Sequence, residues 1–284
     1  MVDFEYKPRY GWDDFLEIMR LLRGPGGCPW DAEQTHQSIR RNFLEETCEA
    51  LDALDRDDAV DMQEELGDVL MQVVFHATIE EERGRFTMAD VVDGVAQKMV
   101  YRHPHVFGGT MQADNSEQVL VNWEVLKRQE KGQRSTSDAI ESVPHTLPAL
   151  WRAEKVQSKT AKAGFDWKDA VSALTKLEEE VRELREALES GKDTDAPHGI
   201  REEVGDTLFM AAKVAQMTGV DPEDALHRAC DKFDARLRQV EAGADKPLSQ
   251  CSEEELLAPC RAATHPEYSQ RASRYRWISV PDRD

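Results

Sequence analysis

Two short stretches put acids where an apolar helix face begins. "QEELGDVLMQ" (63–72) carries Glu65 and Asp68, and "REEVGDTLFM" (201–210) carries Glu203 and Asp206. Like charges one helical turn apart repel by roughly 0.2–0.5 kcal/mol, so a helix that needed only a core would hold other residues there. An E-E-x-x-E motif precedes each stretch: "EETCE" (45–49) and "EEVRE" (179–183). In an antiparallel hairpin, residues equidistant from the turn lie at the same height. Glu180 with Asp206, and Glu183 with Glu203, are symmetric about residue 193, inside the polar turn "GKDTDAPHG" (191–199). Glu46 with Asp68, and Glu49 with Glu65, are symmetric about residue 57, inside "DRDDA". Each half of the chain therefore places four carboxylates on two facing helices at matching heights.

Four converging carboxylates do not all ionise without a counter-charge. A hard divalent cation with oxygen ligands resolves this, and Mg²⁺, or Mn²⁺ in its place, suits such a set. A di-iron bundle would use Glu-x-x-His, whereas the i+3 partners here are Glu and Asp. The plainer reading, solvated faces of acidic helices, suffices for either motif alone but not for a mirrored register found twice.

Basic pairs follow each quartet at i, i+4: Lys98 and Arg102 in "KMVYR", Lys232 and Arg236 in "KFDAR". On one helix face such a pair can grip a polyphosphate, Arg through its planar fork and Lys as a point charge. Alone, each pair would read as ordinary surface charge. Lys176, one turn before Glu180, is a further candidate. Trp30 and Trp167 are read as core residues ahead of base-stacking ones, and His103 and His105 as a cap ahead of a metal site. "RGPGG" (23–27) lacks the G-K-[ST] ending of a P-loop, and neither G-x-S-x-G nor His-Glu-x-x-His occurs.

The elements that must position these residues are helical. Apolar spacing of three and four predicts helices over 12–23, 39–54, 60–82, 88–102 and 116–131, and again over 149–167, 170–190, 200–219 and 221–241. Asp221 before Pro222 gives the last of these an N-cap with Pro at N1. Residues 132–148, polar with two prolines, read as a linker, and the pattern fades beyond about 250. The order repeats: a Gly-then-Trp entry ("GGCPWD", "GFDWKD"), a Glu-rich helix, a turn, an E-x-x-D helix and a basic helix end. This predicts an all-α fold made of a duplicated helical hairpin.

The formal charge of −20 on 284 residues argues against a nucleic-acid grip, which needs a basic surface. Small phosphate ligands remain open, because divalent cations mediate such contacts. No stretch nears the roughly 20 apolar residues that span a bilayer, so no membrane role is expected. The N-terminus has no apolar signal region. Five cysteines without a CxxC pair suit a reduced, cytoplasmic protein.

With EExxE, E-x-x-D, the K-x-x-x-R helix and "RHPHVF" in hand, the chain resembles the tandem-domain MazG nucleoside triphosphate pyrophosphohydrolases. The likeness runs over roughly residues 12–241 and includes "GCPWD", "LEETCEALDAL", "ELGDVLMQVVF", "RGRF", "TLPAL" and "GFDW". It implies two MazG-type helical-bundle domains, at 1–131 and 149–250, joined by the 132–148 linker and followed by an irregular tail at 251–284. It further implies Mg²⁺-dependent cleavage of nucleoside triphosphates between the α- and β-phosphates, giving a monophosphate and pyrophosphate. The C-terminal half carries that activity in the family. Its metal ligands match Glu180, Glu183, Glu203 and Asp206, and its nucleotide contacts match Lys176 to Glu180, Glu202, and Lys232 to Arg236.

Glu179 or Glu202 would orient or deprotonate the attacking water. The N-terminal half keeps Glu46, Glu49, Glu65 and Asp68 as a second metal set. Members often carry a Lys just before the second acidic pair, where this chain has Gly199, Ile200 and Arg201. A hairpin with so polar a seam is expected to pack against a second copy as a homodimer. The competing readings are a non-catalytic metal- or nucleotide-binding scaffold and a narrower dCTP- or phosphoribosyl-ATP-type pyrophosphohydrolase. The basic pairs weigh against the first and the duplication against the second.

Overall fold

The computed structural model describes residues 2–108, 115–130, 132, 135–244 and 246–252; the tail beyond 252, with Trp277, lies outside them. Among the described residues the regular structure is helical, and the chain divides into two compact units, Met1–Glu130 and Lys131–Asp284.

The first unit runs α1 (Trp12–Arg23), α2 (Pro29–Glu33), α3 (Arg40–Asp55), α4 (Ala59–Glu82), α5 (Met88–Arg102), α6 (Pro104–Phe107) and α7 (Ser116–Glu130). Only Arg56–Asp58 separate α3 from α4, so the two pack as an antiparallel hairpin. Asp57 takes a left-handed φ of 54°, and the Asp58 carboxylate accepts from the N–H groups of Val60 and Asp61, capping α4. The core gathers Met19, Ile39, Val74, Phe75, Ala77, Ile79 and Met88. The buried stretch of α4 is thus its second half, which anchors the helix while the half bearing Glu65 and Asp68 stays more open.

Arg23 sits 5.1 Å over the Phe75 ring, and its guanidinium donates to Glu82 and to the carbonyls of Asp31 and Gln34. These bonds staple α1 and the entry turn onto α4. Glu80, buried nearby, is met by His36, Arg83 and Arg85.

The second unit runs α8 (Thr136–Glu141), α9 (Ala149–Lys162), α10 (Ala170–Glu189), α11 (Ile200–Met217) and α12 (Pro222–Gly243), with a short 3-10 turn at Leu248–Gln250. Residues 132–148, expected as a plain connection, contain α8. Its Ser135 cap and buried Ala139, with Val143 just beyond, seat this segment against α9. Asp169 caps α10 in a reciprocal box with Ser172. Asp221 caps α12 and also accepts from the Trp151 indole at 2.9 Å, tying the start of α12 to α9.

α10 and α11 form the second hairpin. Deep in α11, Lys213 is only 1% exposed. Its ammonium pairs with Asp166 at 2.5 Å, donates to Gln216 Oε1 at 2.6 Å and lies 5.7 Å from the Trp167 ring centre. Trp30, expected in a core, is instead 58% exposed: α2 is only five residues long and buries none of them. Trp167 is half-buried over Lys213, and His103 is the C-cap of α5, its Nδ1 2.7 Å from the Met99 carbonyl.

The Lys213 contacts lead to an asymmetric expectation. Removing Asp166 leaves a buried ammonium without its partner, whereas an apolar chain of similar length in place of Lys213 leaves only the half-exposed carboxylate. Asp166→Ala should therefore cost about 3 kcal/mol, and Lys213→Met clearly less, when both are unfolded in urea.

Candidate metal and nucleotide site

In the second unit the sequence dictates the meeting of the acids. Glu180 and Glu183 lie one turn apart on α10, and Glu203 and Asp206 one turn apart on α11, in mirrored register across the connection. Oxygens of Glu180, Glu203 and Asp206 lie within 4.8 Å of one another. Glu183 lies outside that closest set, yet its charge still acts on Glu203. Glu180 and Glu203 are 6% and 4% exposed, so two of the three are nearly dry. Burial raises the Glu203 carboxyl above its ordinary value, and the charges of Glu183, Asp206 and Glu202 push it the same way. Asp206 is raised too, by burial first and then by Glu180 and Glu202.

Two nitrogen-bearing side chains face these acids. Lys176 Nζ reaches Glu180 at 2.7 Å and Glu179 at 3.3 Å, and these contacts hold its ammonium above the usual lysine range. Lys176 is thus folded back onto the acids. The other is His198, which sequence reasoning passed over. It adopts φ 55°, its N–H donates to Glu202 Oε2 at 2.7 Å, and its Nδ1 lies 3.9 Å from Glu202 and 3.8 Å from Glu203. The signal that would have found it is Glu202 at position N3 of α11, where a glutamate characteristically reaches back to the N–H groups just before a helix.

The next residue explains a departure noted in the sequence. A Cβ on Gly199 would stand 2.4 Å from the Asp193 carbonyl oxygen and 2.6 Å from that of Ala196. The connection folds so closely over this position that a lysine has no room.

The first unit repeats the acids with different surroundings. Oxygens of Glu46, Glu49 and Glu65 lie within 4.8 Å of one another, and Asp68, outside that set, adds its charge to Glu46 and Glu65. Glu46 and Glu65 are both raised, by burial first and by their acidic neighbours next. Among the described residues no basic side chain pairs with any of the four.

The basic pairs also diverge. In the second unit Lys232 is exposed and Arg236 half-buried, and neither has an ion-pair partner among the described residues. In the first, Arg102 is buried, bonded to Glu130 at 2.7 Å and stacked 5.1 Å from the Trp123 ring. Arg102, expected to contact phosphate, is thus engaged by Glu130 and Trp123 of α7 in this structure. Lys98 lines a polar cleft with Asp90, Asp93, Gln97, Tyr101 and Glu130. His103 and His105 join no group of three or more potential ligands among the described residues.

Comparison with known proteins bears directly on this arrangement. The family model described as the MazG nucleotide pyrophosphohydrolase domain matches twice, at residues 34–107 and 161–241. Each match takes in one complete acidic hairpin. An Escherichia coli protein named nucleoside triphosphate pyrophosphohydrolase is 43% identical over 231 residues, covering 81% of this chain and 86% of its own. A Thermotoga maritima protein named nucleoside triphosphate pyrophosphohydrolase/pyrophosphatase MazG is 42% identical over 235 residues, 83% and 87% of the two chains. The uncharacterized protein YabN of Bacillus subtilis is 47% identical over 232 residues, 81% of this chain and 46% of YabN.

The raised carboxyls fix the sign of a stability effect. A carboxyl held above its unfolded value binds its proton more readily when folded. Its contribution is fully present below about pH 4.5, the ordinary glutamate range, and is lost as pH rises through the raised value. At neutral pH the ionised group works against the metal-free fold. Glu203→Gln should therefore raise the melting temperature of metal-free protein at pH 7 and change it little at pH 4, as calorimetry at the two pH values would register.

Proposed function

This chain belongs to the MazG family of nucleotide pyrophosphohydrolases, and we propose that it hydrolyses nucleoside triphosphates to monophosphate and pyrophosphate at the acids of its second unit. The observation that carries this reading is the pairing of the Glu180, Glu203 and Asp206 set, two of its three carboxylates nearly dry, with a Lys232–Arg236 pair that has no ion-pair partner among the described residues, on the next helix but one from Glu180. A metal-stabilised scaffold has no use for the basic half of that combination.

The donor set fits a hard divalent cation: it offers carboxylate oxygens only, two of the three carboxylates buried, at mutual distances a single ion can bridge. We assign Glu180, Glu183, Glu203 and Asp206 to hold Mg²⁺, with Mn²⁺ as a substitute. When bound, the cation neutralises phosphate charge and polarises phosphorus. Everything else falls to side chains of the chain itself.

Lys232 and Arg236 grip the phosphates and offset the charge that builds on the departing pyrophosphate. Lys176, already at the mouth of the acids, shifts from Glu180 to a phosphate oxygen. A water oxygen bonds to the α-phosphorus and the bridge to the β-phosphate breaks. Glu202 or Glu179 takes up the water's proton. Glu202 suits that task because the His198 N–H fixes one of its oxygens and leaves the other for water.

A homodimer completes the proposal. Val171, Leu174, Val181, Val204 and Leu208 on the hairpin, with Leu226, Phe233 and Leu237 on α12, are exposed apolar side chains of the kind that partner surfaces use. A second copy would cover it. Among the described residues no helix is long and apolar enough to cross a membrane. As part of the same proposal we place the protein in the cytoplasm, keeping the nucleotide pool clean, with free nucleotides rather than nucleic acid as substrate.

The test is pyrophosphate release from a panel of NTPs and dNTPs with and without Mg²⁺. Glu203→Gln and Asp206→Asn should each abolish release while the helical circular dichroism stays intact; full activity in both would overturn the site. Lys232→Ala and Arg236→Ala should each lower kcat/KM about 10–100-fold, the reach of one charge-assisted contact. In sedimentation velocity, Leu208→Asp should convert a dimer to a monomer.

A further inference from the structure

The far half of α4 carries polar groups that take no part in the proposed hydrolysis. His36, in the connection from α2 to α3, places its Nδ1 2.7 Å from Nδ1 of His76 on α4. The two ring centres are 5.0 Å apart and the planes differ by 15°. That centre distance is the nitrogen separation plus one ring radius at each end, so the imidazoles meet edge to edge in nearly one plane. One hydrogen fits on the line between them, and a second does not.

On its other edge, His36 Nε2 is bonded to Oε1 of Glu80, a carboxylate only 5% exposed. Arg83, at 3.2 Å, and Arg85 donate to the same oxygen. Burial alone would raise the Glu80 carboxyl, but the bonds from His36 and Arg85 outweigh it and hold the group below its ordinary value. An ionised Glu80 can only accept, so His36 Nε2 carries a hydrogen. From α3 the Phe43 ring lies 5.6 Å from that of His76, and from α1 the Arg23 guanidinium reaches the Gln34 carbonyl at 3.2 Å and the Glu82 carboxylate. Among the described residues Glu80 is the only carboxylate bonded to either ring.

With both rings neutral, His76 Nδ1–H donates to the bare Nδ1 of His36. One added proton is accommodated, because a single hydrogen still lies between the two Nδ1 atoms. Two added protons put a hydrogen on each facing nitrogen, and the rings must part. Burial, and then the neighbouring His36, hold His76 below the usual histidine value.

We propose that Glu80, His36 and His76 form an acid-sensitive latch, which ties the α2–α3 connection to α4 and opens when the histidine pair takes its second proton. Below about pH 6.5, the ordinary histidine value, the released segment binds two protons where the closed latch holds one. The closed form is therefore fully favoured above that pH. It weakens on acidification by up to about tenfold in the opening equilibrium per pH unit, until the pair itself is doubly charged. What opens is the stretch before Ile39, which stays in the core. The device is confined to the first unit, since Val214 stands on α11 where His76 stands on α4, eleven residues past the first acid of each pair.

The test is hydrogen exchange of the full chain, read by mass spectrometry at about pH 7.5 and about pH 5, either side of the histidine range, and corrected for the intrinsic effect of pH on exchange. Protection across residues 34–40 should fall about tenfold or more at the lower pH. His76→Asn keeps an amide nitrogen that can donate to His36 and, turned over, an oxygen that can accept from it, yet does not titrate. It should hold that protection nearly equal at the two pH values. No loss in the wild type, or a loss of the same size in His76→Asn, overturns the proposal. Should His76→Asn fail to fold, nitrogen-15 NMR of the wild-type histidines decides. Two of the eight should take up their protons in separate steps, the second only as 34–40 loses protection; all eight titrating singly over one range overturns the latch.

Discussion

Repulsion among carboxylates that converge between two facing helices is the constraint on which the molecule turns. In water each acid keeps its own hydration shell. On the facing helices of the second unit Glu180 and Glu203, a few per cent exposed, give that up and meet their neighbours instead. Such a seam persists only if the helices are held from elsewhere, and both units do this at the end away from the acids. In the first, the apolar second half of α4 sits in the core and Arg23 staples it to α1. In the second, the buried Lys213–Asp166 pair ties α11 to the turn that enters α10. The strain at one end is carried by packing at the other, the usual compromise between stability and a functional site.

Much of this is legible in the sequence because the informative signals are periodic. A stripe of apolar residues at three and four marks each long helix, and two acid pairs symmetric about a polar turn mark the register of each hairpin. The signals that fail to show are aperiodic. His198 matters through a left-handed backbone and an N–H aimed at Glu202, neither of which a residue type announces. Arg102 looks like Arg236 in its motif, but Glu130 and Trp123 of a later helix decide what its guanidinium touches. Trp30 looks like a core residue by type, yet a five-residue helix gives it nothing to pack on. Tertiary context separates these from the residues that spacing alone could place.

The duplication also shows how two copies of one plan settle the same problem differently. Ten residues past the first acid of each pair stand Phe75 and Lys213. In the first unit a cation from α1 lies over an aromatic ring on the acid-bearing helix; in the second, the cation is on that helix and the ring, Trp167, is in the entry turn. The contact type is kept while its partners trade places. The basic helix ends diverge further, one absorbed by α7 and the other left to solvent. The acids are the same in the two copies, but the side chains around them are not.

The connections between the paired helices carry a consequence for how the chain acquires its structure. The first hairpin turns in three residues and the second in ten, from Ser190 to Gly199. Short local closures form early and in few ways, whereas a longer loop searches more arrangements before its ends meet. The first hairpin emerges with its register already dictated by its turn. The second must find its own, and a slip of one residue would rotate an acid by about 100° out of the seam. The crowded fold of the second connection, with Gly199 pressed against three carbonyls and Lys192 Nζ donating to the His198 carbonyl at 3.2 Å, leaves little slack for another register. It can close only when the count between the helices is right.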